Sequence, residues 1–142
     1  GRTESHLVEV SRQISSLGGR SKVAACDVTN DGAVRGVIAD LGRLDILVNN
    51  AGTNFPEPFT SVSDEHLDIM LDLNVRAYFV VAQAAVNKML EDVNRKAAGG
   101  VVLNISSQMG HVGWVQAGLP VATSADAARE YEALQKKAAR DY

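Results

Sequence analysis

Apolar residues along the chain follow two different spacings. In three stretches they recur every three or four positions, which is the spacing of an amphipathic helix. Each stretch starts near a residue that can cap a helix, and the first two end at glycines. The predicted helices run from Thr3 to Leu17, from Thr29 or Asn30 to Gly42, and from Ser63 to about Arg95.

Between the helical stretches lie short, nearly continuous apolar runs that read as buried strands. They span Lys22 to Cys26, Asp45 to Asn49 and Val101 to Ile105. Strands that alternate with helices imply right-handed crossovers and a parallel sheet. The prediction is a doubly wound α/β fold with three core strands flanked by helices. Ligands bind such sheets at the carboxyl ends of the strands. Polar residues lie at all three ends, namely Asp27, Asn49-Asn50 and Ser106-Ser107.

Composition narrows the class of protein. The 142 residues fit one domain, and the formal net charge of −3 argues against nucleic-acid binding. No apolar run approaches the ~20 residues needed to cross a membrane, and no secretion signal is visible. Cys26 is the only cysteine, which excludes an internal disulfide and predicts a cytoplasmic protein. The three histidines show no metal-ligand spacing, and His6 and His66 are expected to be solvated.

The most specific string is Asn49-Asn50-Ala51-Gly52, which follows the apolar strand that starts at Asp45. It resembles the cofactor-site signature of the short-chain dehydrogenase/reductase family. The resemblance covers residues 1–113 and implies a partial NAD(P)-binding, Rossmann-like domain. Residues 114–142 form a divergent tail, predicted as a loop and one helix, Ala125 to about Arg140.

The resemblance implies a cofactor role for several residues. Asn50, Ala51 and Gly52 would line the path of the cofactor ribose and phosphate, and Asn49 would join adjacent strands. Asp27 and Val28 would hold the adenine ring, with the carboxylate accepting from the exocyclic amine. An alternative is that Asp27 only caps the turn that follows it.

Arg2 comes just after the position where the family's second strand would end. An arginine there can pair with a 2′-phosphate, which predicts NADP rather than NAD. A simple exposed arginine is the alternative reading.

Two residues match positions of the family's catalytic site. Ser107 lies three residues before Gly110, the spacing of the family's serine, and its hydroxyl would stabilise developing oxyanion charge. Asn74 falls inside the long helix, where the family has an asparagine that supports a water of the proton relay. An asparagine that merely kinks the helix or faces solvent is the alternative.

Two parts of the family pattern are missing from the 142 residues. No glycine-rich phosphate turn precedes Gly1, so the chain is expected to start after the family's second strand. The catalytic tyrosine, with a lysine four residues later, is absent from its expected place near residues 120–122. Tyr131 does not replace it. Gln135 occupies the lysine position, and Lys136 is one residue late, a rotation of ~100° on a helix.

These gaps predict an incomplete sheet. In the strand order 3-2-1-4-5-6, two missing strands separate the strand near Val23 from the one containing Leu47. The strand near Val23 should therefore either stay displaced or pair directly with Leu47.

The function that the resemblance implies is NADP-dependent oxidation or reduction of a carbonyl or secondary alcohol, with a 3-oxoacyl thioester as one candidate substrate. The chain itself is expected to be inactive. The resemblance also implies a homo-oligomer packed through the long helix. The rival readings are a non-catalytic remnant, a helix-mediated interaction module and an unrelated nucleotide-binding α/β protein.

Overall fold

The computed structural model describes residues 1–91 and 99–107. The chain divides into two units, residues 1–53 with 68–105 and residues 54–67 with 106–142. A short 3-10 helix, Phe59–Ser61, and a π-helical turn, Asp72–Arg76, complete the regular structure. The remaining elements, in chain order, are α1 (Glu4–Ser16), α2 (Asp31–Ala39), β1 (Ile46–Asn49), α3 (Asp64–Leu71), α4 (Ala77–Glu91) and β2 (Val101–Asn104).

Strands β1 and β2 form a parallel pair in the first unit, as the crossover pattern predicts. Ile46 is opposite Val101, and the register continues to Asn49 opposite Asn104. Helix α4 packs against β1 on one face of the sheet. The other face carries Ile46 and Val101 with their neighbours Val48 and Leu103, which are 49–60% exposed. Parallel sheets are usually covered on both faces. In this sheet, the described residues of its own unit cover only one face.

The apolar core lies where α4 meets α2 and the sheet. Its buried side chains are Val34, Ala77, Val80, Ala84, Ala85 and Met89. Small alanines on α4 let the backbones approach closely. Gly100, next to β2, is similarly constrained, because a Cβ there would lie 2.5 Å from Met89 Sδ.

The prediction of a strand from Lys22 to Cys26 is wrong, and with it the prediction of three core strands. In the described residues this segment has no strand structure and no pairing with residues 45–49. The amide of Cys26 donates instead to the carbonyl of Gly1 at 2.8 Å. A strand exists through its ladder partner, and the displaced arrangement is the one observed. Cys26 is accordingly half-buried and not part of a strand.

The described helices match the predicted ones with sharper ends. Asn30, and not Thr29, caps α2, because its Oδ1 accepts from the amide of Ala33 at 3.0 Å. Ser63 Oγ accepts from the amide of His66 at 3.2 Å at the start of α3. The predicted end of the long helix near Arg95 and the predicted tail helix lie outside the described residues.

The helical run Asp64–Glu91 changes one expectation. By length and composition alone these 28 residues could cross a membrane, contrary to the statement that no apolar run is long enough. Such a test is weak evidence, since core helices of soluble proteins pass it too. Arg76 within this run is ion-paired with Asp31, and α4 supplies most of the buried core. We therefore interpret α4 as a helix that contributes one face to the core, with 22% of the apolar window buried.

Candidate cofactor site

A cavity of about 400 Å³ lies in the first unit at the carboxyl end of β1. Four parts of the chain form its wall: a residue before α1, the turn before α2, the residues that follow β1, and the helical run from α3 into the π turn. Five of the predicted cofactor residues meet here. The lining residues are Arg2, Asp27, Val28, Thr29, Ala51, Gly52, Ile69, Asp72 and Leu73.

Asp27 both caps its own turn and lines this cavity, so the two readings of this residue are compatible. Its Oδ1 accepts from the amide of Thr29 at 3.0 Å and from the Thr29 hydroxyl at 2.9 Å. These two hydrogen bonds, the amide first, lower the pKa of Asp27 below its ordinary value, with a smaller contribution from the charge of Arg2. Asp27 is therefore a carboxylate at neutral pH.

Arg2 is the only basic side chain among the described residues that line the cavity. Its Nη1 lies 4.0 Å from Oδ2 of Asp27, and its side chain is 77% exposed. The hydrogen bond between Gly1 and Cys26 holds the backbone of Arg2 beside that of Asp27. The backbone next to Arg2 is thus held by a hydrogen bond, while its guanidinium is largely exposed.

Asn49 joins the two strands, as predicted from the family resemblance. Asn49 is 6% exposed. Its Nδ2 donates to Asn104 Oδ1 at 2.9 Å and to the carbonyl of Tyr78 at 3.3 Å. The side chain therefore fixes the end of β1 to both β2 and α4. Asn50, the next predicted residue, is exposed and is not among the residues lining the cavity.

Asn74 lies in the π turn. It holds the backbone immediately after the cofactor string, which is the name used below for Asn49-Asn50-Ala51-Gly52. Its Nδ2 donates to the carbonyl of Thr53 at 2.8 Å, and its Oδ1 accepts from the amide of Thr53 at 3.0 Å. A Cβ at Gly52 would lie 3.2 Å from the same Oδ1, so the neighbouring backbone passes close to the amide. π turns often occur at functional sites. The water-supporting role of Asn74 stays a prediction.

Sequence reasoning missed the ion pair that braces this turn. Arg76 donates to the two carboxylate oxygens of Asp31 through Nη1 and Nη2, at 2.9 and 2.6 Å, and Nη1 also lies 3.5 Å from Asp72. The hydrogen bond with Arg76 lowers the pKa of Asp31. Because the partners are 45 residues apart, no local spacing announces the pair. It ties the start of α2 to the turn that contributes Asp72 to the cavity.

Ser107 and His66 belong to the second unit. Ser107 is exposed, three residues beyond the end of β2. His66 is not simply solvated as expected. Its ring stacks on Phe55 with centroids 4.0 Å apart, and Nδ1 lies 2.8 Å from Glu57 Oε1. The other oxygen of Glu57 is buried without a hydrogen-bond partner in the described part of the chain.

The cavity lies at the carboxyl end of a parallel strand, which is where open α/β sheets bind their ligands. The family model for short chain dehydrogenase matches residues 1–139, beyond the point near Gly113 where the resemblance was expected to end. The chain belongs to the short-chain dehydrogenase/reductase family. This membership excludes the reading as an unrelated nucleotide-binding protein.

Known proteins similar to the chain differ in what their names say they act on. Cyclopentanol dehydrogenase of Comamonas testosteroni is 38% identical over 111 residues, which is 75% of this chain and 41% of that protein. A hexahydro-indene-carboxyl-CoA reductase of Mycobacterium tuberculosis is 35% identical over 112 residues, with the same coverage of both proteins. The chain therefore spans less than half the length of these relatives.

Among solved structures, a metagenomic short-chain oxidoreductase in complex with NADP superposes with a TM-score of 0.70 at 30% identity. The match covers 83% of this chain and 53% of that one. The fold expectation of a Rossmann-like parallel sheet with flanking helices is confirmed by this likeness.

The cavity fits the adenosine end of a dinucleotide. It offers a carboxylate acceptor at Asp27, a cation at Arg2 and a close backbone approach at Ala51 and Gly52. Glycine at position 52 matters for this fit because an added Cβ would press against Asn74. The described residues of the cavity thus suit binding and orientation of a nucleotide.

Proposed function

We propose that the chain forms the adenosine end of an NADP site in an oxidoreductase that interconverts a carbonyl and a secondary alcohol. The observation that carries this proposal is the convergence of Arg2, Asp27, Val28, Ala51 and Gly52 on one cavity. Three separated parts of the chain supply these residues. Their meeting at the end of a parallel strand is the arrangement that a dinucleotide site requires.

Each of these residues has a defined task in the proposal. Oδ2 of Asp27, the oxygen that does not bind Thr29, accepts from the adenine amine, and the backbone of Val28 completes the contact with the ring edge. Ala51 and Gly52 let the ribose and phosphate approach the backbone. When bound, the nicotinamide nucleotide supplies or accepts the hydride. Asn74 keeps Thr53, and with it the cofactor string, in place.

NADP is favoured over NAD because Arg2 offers the positive charge that a 2′-phosphate needs. Solved relatives are named in complex with NADP and with NADH, so the preference for NADP rests on Arg2 alone. Ser107 is proposed to bind the substrate carbonyl through its hydroxyl.

The substrate class is proposed from chemistry common to the relatives. One relative is named for a cyclic alcohol and another for a carboxyl-CoA compound. A 3-oxoacyl thioester combines a ketone with a thioester and remains our candidate. Because the 142 residues contain no tyrosine with a lysine four positions later near residues 120–122, we propose that this chain binds the nucleotide without catalysing the reaction.

Fluorescence titration tests the binding part of the proposal. NADPH added to the purified chain should bind more tightly than NADH, and Arg2→Ala should remove most of that preference. Absence of NADPH binding would refute the proposal. Turnover is measured separately as NADPH absorbance with acetoacetyl-CoA or cyclopentanone. Oxidation of NADPH that depends on either ketone would show that the chain is active, contrary to our expectation.

One feature favours a second role as a helix-mediated interaction module. Phe79, Val86 and Leu90 lie on α4, spaced by seven and four residues, and are 67%, 39% and 51% exposed. Residues at this spacing share one face of a helix. We propose that this face packs against a second copy. Sedimentation velocity of the chain and of Phe79→Asp should show a dimer that the charge disrupts, and a monomer at all concentrations would contradict it.

A further inference from the structure

The two charged side chains that we assign to the nucleotide lie opposite each other in the cavity. Nη1 of Arg2 is 4.0 Å from Oδ2 of Asp27. The hydrogen bond from the amide of Cys26 to the carbonyl of Gly1, 2.8 Å long, joins the residues that immediately precede them. This hydrogen bond places the backbone of Arg2 beside that of Asp27, and the exposed guanidinium reaches Oδ2 from there.

The two carboxylate oxygens of Asp27 have different partners. Oδ1 already accepts two hydrogen bonds from Thr29, at 3.0 and 2.9 Å. A carboxylate oxygen has about two lone-pair positions, so Oδ1 has no capacity for a ligand. Oδ2 is the oxygen left to accept from an adenine amine, and it is also the oxygen that faces Arg2. A ligand amine and Arg2 consequently compete for the same atom.

The charges around the cavity make this competition matter. Asp27 and Asp72 both line it, and Arg2 is the only basic group among its described lining residues. Asp72 has its own cation, since Arg76 lies 3.5 Å away and is braced by Asp31. A phosphate that enters the cavity can therefore recruit Arg2, whereas Arg76 is already engaged.

We propose that Arg2 and Asp27 form an exchange pair that couples recognition of the 2′-phosphate to recognition of adenine. On binding, the guanidinium moves to the phosphate, and Oδ2 is released to the adenine amine. The inference rests on the proposed function, because it concerns the same nucleotide site. An adenosine without the phosphate has to displace Arg2 without offering it a new partner. The pair thus selects against the unphosphorylated ligand as well as for the phosphorylated one.

The expected effects have opposite signs for two ligands that differ only by the phosphate. In Arg2→Ala, adenosine 2′-monophosphate should bind about tenfold more weakly, because a charge-assisted hydrogen bond is lost. Adenosine should bind about twofold more tightly, since an exposed ion pair that opposed its binding is gone. Simple electrostatic attraction to phosphate predicts only the first effect.

Nuclear magnetic resonance titration of the full 142-residue chain measures both dissociation constants. The variants are Arg2→Ala, Asp27→Asn and the double variant. Asn at position 27 keeps an oxygen for Thr29 but loses the second acceptor. Asp27→Asn should weaken both ligands, and in its background Arg2→Ala should no longer tighten adenosine. Arg12→Ala is the matched control, because Arg12 pairs with Glu9 on α1 and does not line the cavity.

The outcomes separate the exchange pair from the proposed function. If Arg2→Ala weakens adenosine 2′-monophosphate but leaves adenosine binding unchanged or weaker, the exchange is wrong and the nucleotide site stands. A gain in adenosine affinity that persists in the Asp27→Asn background would also overturn the exchange. If the wild-type chain binds neither ligand at millimolar concentration, both proposals fail. Circular dichroism of each variant should match the wild type, since the side chains of Arg2 and Asp27 are 77% and 44% exposed and Asn keeps an oxygen for Thr29.

Discussion

Two regions of the molecule differ in how far apart in sequence their contacting residues lie. One is the region around β1 and α4, and the other is the segment from Lys22 to Thr29. Around β1, residues far apart in sequence hold one another, as Asn49 does with Asn104 and Asn74 with Thr53. In the segment, the main contacts are local, such as Asp27 with Thr29, plus one backbone hydrogen bond to Gly1.

The sequence predicts a strand with a polar end both at Lys22–Cys26 and at β1, yet only β1, which has a partner strand in the described chain, is a strand. An apolar run specifies a strand only when a neighbour completes its hydrogen bonds. The polar end can nevertheless keep its geometry, because the turn at Asp27 needs nothing beyond Thr29. The site residue is therefore more robust than the strand that carries it.

The largest expected effect comes from the buried side of α4. Met89 is 5% exposed and contacts the region of Gly100, whereas its neighbour Leu90 is 51% exposed. Met89→Ala should lower the free energy of unfolding by about 2–4 kcal/mol, through lost burial and a cavity. Leu90→Ala is the matched control and should cost less than about 1 kcal/mol when both variants are compared at concentrations too low for the proposed dimer. Urea denaturation followed by circular dichroism measures both. Equal losses would mean that α4 has no buried side, and the region around β1 and α4 would then not be held by contacts between distant residues.

A smaller effect is expected at the contact between the π turn and the cofactor string. Asn74→Ala removes two hydrogen bonds to Thr53 and should cost about 1–2 kcal/mol, partly offset by the better helix propensity of alanine. Asn87 is an exposed asparagine on α4, and Asn87→Ala should be neutral or slightly stabilising. The amide of Thr53 should also exchange its hydrogen faster in Asn74→Ala alone. Unchanged exchange there would show that Asn74 does not hold this backbone.

How much could be predicted from the sequence follows the same division. The helices and the β1–β2 pair follow from local periodicity, and Asp27, Ala51 and Gly52 were assigned to the cofactor from short motifs. The π turn, the pair of Arg76 with Asp31 and the stack of Phe55 on His66 were not predicted. They depend on which distant residues meet, and no spacing along the chain encodes that. The prediction of a strand at Lys22 was wrong for the same reason, because the residues of a strand do not specify which segment pairs with it.

The smallest effect is expected in the segment with local contacts, and it depends on pH. The pKa of Asp27 is lowered by the amide of Thr29 first and by its hydroxyl second. A lowered pKa in the folded chain means that Asp27 adds stability above the pKa of the unfolded state, near 4. That contribution is lost as the pH falls through the lower, folded value. Because Asp27 is 44% exposed, the contribution should be only a few tenths of a kcal/mol.

Thr29→Val removes the hydroxyl and keeps the amide, so the pKa of Asp27 should rise partway towards its ordinary value. Carbon-13 detection of the Asp27 carboxyl between pH 2 and 6 measures this directly. The difference in unfolding free energy between wild type and variant should be present at pH 6 and should shrink as the pH approaches 2. Thr3→Val is the control, because Thr3 precedes α1 without a side-chain capping bond. An unchanged Asp27 titration in Thr29→Val would show that the turn is held by something other than its own two residues. The segment would then depend on distant contacts, as the region around β1 does.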